Sequence, residues 1–265
     1  YRHQADALQQ YQLLRGMGID DDHIVLILAD DLAGAPENGL PGAIRNAPEG
    51  DDLYAGAEID YRLGLRGSEL ASVLRGEVTE TTPIVISPSE SSDVYVYLAG
   101  HGGAAGIPIG AVTAEDGLAG GDDVFSPELL RDSLCTLAAE QRYRRAFVVI
   151  ESCYAGVFGD ASYGGLERGC GDADDETPLE GAVLLTAANA REVSYAGAYD
   201  HEVPAWVNDA FSRNFADNLA LSPGRSLADV FADTYRATAG SHPSAYNLAH
   251  AGRLGQVSVA ELLSP

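Results

Sequence analysis

The sequence predicts an α/β sandwich built on a mainly parallel sheet. Short apolar runs at His23–Asp30, Val94–Ala99, Ala146–Ile150 and Ala182–Ala187 alternate with helical patterns, as expected of buried parallel strands joined by crossover helices. Two of the runs end in small-residue turns, Val94–Gly103 (VYVYLAGHGG) and Val148–Gly156 (VVIESCYAG). A parallel sheet gathers such turns at the carboxyl ends of its strands. With 265 residues and 46% hydrophobic content the chain can bury a sizeable core, and it reads as one domain over residues 1–265.

The elements follow in order. From Ala5 to Arg15 the positions Ala7, Leu8, Tyr11 and Leu14 repeat at helical spacing, with Gly16 and Gly18 as stop signals. His23–Asp30 is β-branched and apolar, a first strand. Gly34 to Gly67 lacks periodicity, and a loop of that length is functional or disordered; Tyr54 and Tyr61 favour an ordered one. Ser68–Arg75 reads as a helix capped by Ser68, Ser126–Gln141 as a second, and Trp206–Leu219 and Leu227–Thr238 as two more. The acidic, glycine-rich stretch Gly159–Gly181 reads as a surface connector or flap. No segment repeats, which excludes solenoids and propellers.

Forty acidic residues against sixteen arginines, with no lysine, give a net charge of −24. Nucleic acid is excluded as a partner, because phosphate neutralisation needs a basic face. No run of eighteen apolar residues occurs, so no membrane span is expected, and the first residues lack a signal-peptide pattern. Cys135, Cys153 and Cys170 provide no disulfide framework or Cys-x-x-Cys metal site. One bridge, Cys135 to Cys170, is open to them, but a cysteine in the apolar stripe of a helix reads first as core.

The two turns carry the chemistry. Cysteine attacks as a thiolate, and an imidazole beside it lowers the thiol pKa by pairing with the charged form. His101 and Cys153 are the two residues for this, and the same imidazole can protonate a leaving amine. Gly102 and Gly103 leave room for a substrate carbonyl, and the amides of Gly102 and Cys153 can donate to an oxyanion. Metal binding is the competing account, but the other histidines, His3, His23, His201, His242 and His250, are scattered, so no metal or other cofactor is expected.

These residues resemble the legumain family of caspase-like cysteine peptidases, whose members carry a strand–x–His–Gly turn and a later strand–Glu–x–Cys turn, here Gly100-His101-Gly102 and Glu151-Ser152-Cys153. Tyr1–Asp6 (YRHQAD), Asp30-Asp31 and Thr186–Tyr195 (TAANAREVSY) resemble its opening helix, long loop and substrate-side loop. The Gly-His-Gly-Gly form also resembles the lipid-anchor transamidase subunit. The resemblance implies a caspase-like α/β/α fold and a peptide or protein substrate. It makes His101 the base and acid, Cys153 the nucleophile, and the Gly102 and Cys153 amides the oxyanion hole. It places the specificity pocket on Arg2, His3, Glu151 and Ser194. Such a set suits asparagine: Arg2 donates to the amide oxygen, while Glu151 and Ser194 accept from the amide hydrogens. It also points to a secreted or extracytoplasmic location.

Two departures from the family pattern stand out. The family has an acid just before a tryptophan in the pocket loop, whereas Val203, Pro204 and Ala205 precede Trp206, leaving Asp200 or Glu202 as substitutes. The family's first strand, with an asparagine that orients the histidine, lies upstream of the position matching Tyr1. The expectation is therefore a domain lacking its first strand, completed by a missing N-terminal segment or a companion chain, with Arg2 and His3 poorly held without it. Three functions stand: an endopeptidase cleaving after Asn, and after Asp at acidic pH; a transpeptidase with the same site; and a silent caspase-like binding module. Asn38 and Asn46, read as exposed, are candidate self-processing sites.

Overall fold

The computed structural model describes residues 1–29, 31–62, 65–109, 123–171, 177–221 and 224–263. In chain order these residues form α1 (Arg2–Gly16), β1 (Ile27–Leu28), β2 (Tyr61–Arg62), α2 (Gly67–Arg75), β3 (Asp93–Ala99), β4 (Ile107–Pro108), β5 (Val124–Phe125) and α3 (Pro127–Ala139). Next come β6 (Arg145–Glu151), β7 (Ala182–Thr186), β8 (Tyr199–Asp200), β9 (Ala205–Trp206), α4 (Ala210–Leu221), α5 (Leu227–Ala237), β10 (Ser244–Tyr246) and α6 (Val259–Leu262). The chain divides into two compact units: Tyr1–Leu63 with Ser194–His242 and Val257–Pro265, and Gly64–Val193 with Pro243–Gln256. No helix among the described residues is long and apolar enough to cross a membrane.

The second unit holds a four-stranded sheet in the order β10-β7-β6-β3. β3, β6 and β7 run parallel and β10 antiparallel, so the α/β class and mainly parallel sheet expected from the apolar runs are present. Val94, Val96, Val148, Ile150 and Leu184 meet Leu130, Leu134 and Leu137 of α3 in one buried cluster. The Ser126 hydroxyl accepts from the Leu129 N–H and Pro127 follows at the first helical position, which fixes where α3 starts. β10, with the sequence Ser-Ala-Tyr, has no apolar run to announce it as a strand.

Cys135 and Cys170 form a disulfide, with Cα atoms 5.6 Å apart, so the reading of Cys135 as plain core is corrected. The cause is tertiary. The stretch after Gly159 is not a bare connector: it makes 3-10 turns at Ala161–Tyr163 and Leu166–Arg168, and buries Leu166 fully. Arg131 of α3 donates to the Gly164 carbonyl at 2.9 Å, laying the segment along that helix. Residues 172–176 of the stretch lie outside the described residues.

In the first unit Ala5, Leu8 and Tyr11 of α1 pack with Leu26, Leu28 and Ile44. The predicted strand His23–Asp30 shrinks to Ile27–Leu28 and pairs with β2, not with the four-stranded sheet. His23 belongs to a 3-10 turn, the Leu26 N–H is taken by the Asp60 carboxylate at 2.8 Å, and Asp30 is outside the described residues. Trp206 is likewise not helical. It pairs with Tyr199 in a short hairpin, and α4 begins only at Ala210, after Asn208 and Asp209 are committed to tertiary hydrogen bonds. The Ser68 cap moves to Arg66, whose N–H donates to the Glu69 carboxylate. Asn38 and Asn46 are 6% and 2% exposed, so neither is a surface-exposed processing site. Asn38 donates to the Ala43 carbonyl at 2.9 Å and Asn46 to Asp6 Oδ1 at 2.7 Å, which explains why two polar residues in a glycine-rich loop turn inward.

Candidate active site

Parallel pairing of β3 with β6 sets Ala99 opposite Glu151. The Gly100 N–H extends the ladder by donating to the Glu151 carbonyl at 3.1 Å. His101 and Cys153 each stand two residues beyond that matched pair, His101 exposed and Cys153 half-buried. The two turns press together backbone to backbone. A methyl group at Gly102 would lie 2.4 Å from the Cys153 carbonyl oxygen and 2.5 Å from Ser152 Oγ, distances no real side chain tolerates. The histidine turn is then closed by paired 3.0 Å hydrogen bonds between Gly103 and Gly106.

The cysteine turn is shaped by one unusual residue. Tyr154 has φ 58°, left-handed for a non-glycine residue, so the chain reverses immediately after Cys153 and enters a 3-10 turn at Ala155–Phe158. Two long-range hydrogen bonds hold it there: Tyr154 N–H to the Glu192 carbonyl at 2.8 Å, and Gly156 N–H to the Ala188 carbonyl at 3.0 Å. Backbone strain of this kind is stable only when its surroundings enforce it. With Cys135 and Cys170 bridged, Cys153 is the cysteine left outside the disulfide. Glu151 and Ser152 are each 1% exposed, and Ser152 Oγ donates to the Cys153 carbonyl at 3.1 Å.

The remaining predicted residues, Arg2, His3 and Ser194, belong to the first unit, whereas His101, Gly102, Glu151 and Cys153 belong to the second. Arg2 and His3 lie in the first turn of α1 and are not loosely held. Arg2 Nε donates to Asp209 Oδ1 at 2.7 Å, and His3 Nε2 lies 3.5 Å from Asp209 Oδ2. Asp209 is 2% exposed, and its N–H donates to Asp6 Oδ2 at 3.1 Å. Asp200 and Glu202, the suggested acids, instead face Arg45, at 3.9 Å and 2.8 Å. Asp209 lies after Trp206, past the place where the family pattern puts its acid. An Asn-Asp pair directly before an apolar helical run marks a helix start, but it says nothing of a partner 207 residues away.

Residues 1–168 match the Peptidase C13 family. Legumain of Pongo abelii is 30% identical over 223 residues, covering 82% of this chain and 46% of that protein. Legumain of Homo sapiens is 28% identical over the same coverage. The vacuolar-processing enzyme beta-isozyme of Arabidopsis thaliana is 31% identical over 160 residues, 59% of this chain and 31% of that protein. The chain thus spans about half the length of the legumains it matches. Among solved structures, caspase-1 from Spodoptera frugiperda aligns with a TM-score of 0.44 and 12% identity, covering 72% of this chain and 71% of that one. The family match runs from the opening helix through both the histidine turn and the cysteine turn, and the chain belongs to the Peptidase C13 family.

Proposed function

We propose that the chain is the catalytic part of a cysteine endopeptidase in which Cys153 is the nucleophile and His101 the general base and acid. The observation that supports this best is the backbone packing of Gly102 on Ser152 and Cys153, which brings the two reactive turns to one end of the β3–β6 pair. In the first step Cys153 Sγ bonds to the scissile carbonyl carbon and its proton passes to the imidazole of His101. The oxyanion takes hydrogen bonds from the amides of Gly102 and Cys153. The C–N bond then breaks, the imidazolium proton goes to the leaving amine, and a thioester remains. Water, deprotonated by His101, attacks the thioester, and the thiolate leaves and is reprotonated.

Selectivity for Asn, with Asp accepted at acidic pH, is assigned by resemblance to Arg2, His3, Glu151 and Ser194. The Cys135–Cys170 bridge supports an oxidising, extracytoplasmic setting. The test is turnover of a fluorogenic Asn peptide by the wild type against Cys153→Ala and His101→Ala. Both variants should lose at least about a thousandfold in kcat/KM. Equal signals from all three proteins would leave a binding module in place of an enzyme.

A further inference from the structure

Beside the cysteine turn, and wholly within the second unit, lies an open cleft of about 420 Å³ lined by Asp160, Asn189, Ala190, Arg191, Glu192 and Tyr246. Its wall is built, not incidental. The Tyr246 ring lies flat on Gly159, where a methyl group would come within 2.0 Å of ring carbon Cγ, and its hydroxyl reaches Gly156, where the corresponding distance is 2.4 Å. Asn189 Oδ1 accepts the Arg191 N–H at 2.8 Å and Glu192 Oε1 accepts the Asn189 N–H at 3.3 Å, so the rim segment is locked by its own side chains. The same segment bonds to the catalytic turn, through Tyr154 N–H to the Glu192 carbonyl at 2.8 Å.

The lining carries two carboxylates against one arginine. Asp160 Oδ1 is held in place by the Ser162 N–H at 2.8 Å, while Arg191 stands exposed on the rim. Burial raises the Tyr246 phenol pKa, a hydrogen bond from Ser244 opposes it, and the carboxylates of Asp160, Glu167 and Glu192 raise it again, so a negative potential converges on that hydroxyl. A chain of net charge −24 adds a long-range field of the same sign.

We propose that this cleft is a second substrate subsite that takes a lysine or arginine side chain of the peptide being cleaved at Cys153. The inference rests on the proteolytic reading for its substrate, but its chemistry is separate from the bond-breaking step. A cationic side chain entering here meets Asp160, Glu192 and the Tyr246 hydroxyl, with Arg191 as the one opposing charge.

The test uses an otherwise uncharged Asn peptide in which one lysine is walked through every position on both sides of the asparagine. At one position lysine should raise kcat/KM about fivefold over alanine, the worth of one partly exposed charge pair. Asp160→Asn, which keeps the Oδ1 acceptor for Ser162, should abolish that preference and leave the uncharged peptide unaffected. Arg191→Ala should strengthen it. Opposite effects from two variants separate charge recognition from damage to the fold. Turnover of the uncharged peptide reports on the proteolytic reading alone. Should no peptide turn over, fluorescence anisotropy of the same peptides on Cys153→Ala still reads the subsite. Indifference to lysine at every position, or a preference that survives in Asp160→Asn, would overturn the proposal.

Discussion

Replacing Gly102 by alanine tests the active-site geometry most directly, because its neighbour supplies the control. An added methyl at Gly102 would meet the Cys153 carbonyl oxygen at 2.4 Å, Ser152 Oγ at 2.5 Å and Ser152 Cβ at 3.0 Å, whereas ordinary contact begins at 3.4 Å. The shortfall is about 1 Å against backbone, which cannot rotate away as a flexible side chain can. One of the two turns must move by a comparable amount, carrying the Gly102 amide with it. Hydrogen-bond donation to an oxyanion does not survive such a displacement, and loss of one donor costs about 10²- to 10³-fold in kcat, or about 3–4 kcal/mol. At Gly103 nothing lies within 4 Å of the added methyl. We therefore expect Gly102→Ala to lose at least about a hundredfold in kcat on an Asn peptide, with KM little changed. Gly103→Ala should stay within about threefold. Thermal melts of both variants, and labelling of Cys153 by a thiol-directed probe, establish that each protein is folded with its thiol present. A folded Gly102→Ala with near wild-type kcat, or equal losses at the two positions, would refute the packing of the two turns as the source of catalysis.

Removing both bridged cysteines as serines should lower stability by about 3–4 kcal/mol for the 35-residue separation, seen as a lower urea midpoint under non-reducing conditions. Thiol titration of the native, unreduced protein should count one thiol per chain, and two further thiols should appear only after reduction. Asp209→Ala leaves Arg2 and His3 without their carboxylate and should cost about 3 kcal/mol in a denaturant titration, at the low end for a broken buried pair because Arg2 is 29% exposed. Asp93 tests pH dependence. Burial alone would raise its carboxyl pKa, but hydrogen bonds from Arg145 and Arg144 outweigh that and hold it below the ordinary value. A depressed folded pKa gives stability that is complete above the unfolded value near 4 and is lost as pH falls through the folded value. Asp93→Asn should accordingly melt lower than wild type at pH 7, with the gap closing as the buffer is taken below about pH 4.

The parts of this fold legible in the sequence are those set by local chemistry. Apolar runs revealed β3, β6 and β7, and helical periodicity revealed α3 and α5, whose first turns the structure shows capped by Ser126 and Ser226, accepting from the Leu129 and Asp229 N–H groups. What stayed hidden depends on partners far along the chain. β10 has no apolar run of its own and is a strand only because Ser244–Tyr246 pair with Leu184–Thr186. The Arg2–Asp209 pair joins residues 207 apart, and neither side chain carries a local mark of the other. The inward turn of Asn46 follows from Asp6, forty residues earlier, and the polar composition of its own loop argued the opposite.

The register of a single strand pair underlies all the chemistry proposed for this chain. His101 and Cys153 each stand two residues beyond a matched pair, Ala99 and Glu151, so the apolar runs before them act as measuring rods. A slip of β3 against β6 by one residue would turn Val94 and Val96 off the face they share with α3, and burial of that face forbids it. A slip of two would preserve the faces but carry the histidine turn about 6.6 Å along the strand, away from the thiol. Gly102 guards against that second error, because its close fit on Ser152 and Cys153 exists in one register only. Core packing therefore excludes the odd slips and a glycine at the strand end excludes the even ones, which explains how two turns with no covalent link come to be held within reach of each other.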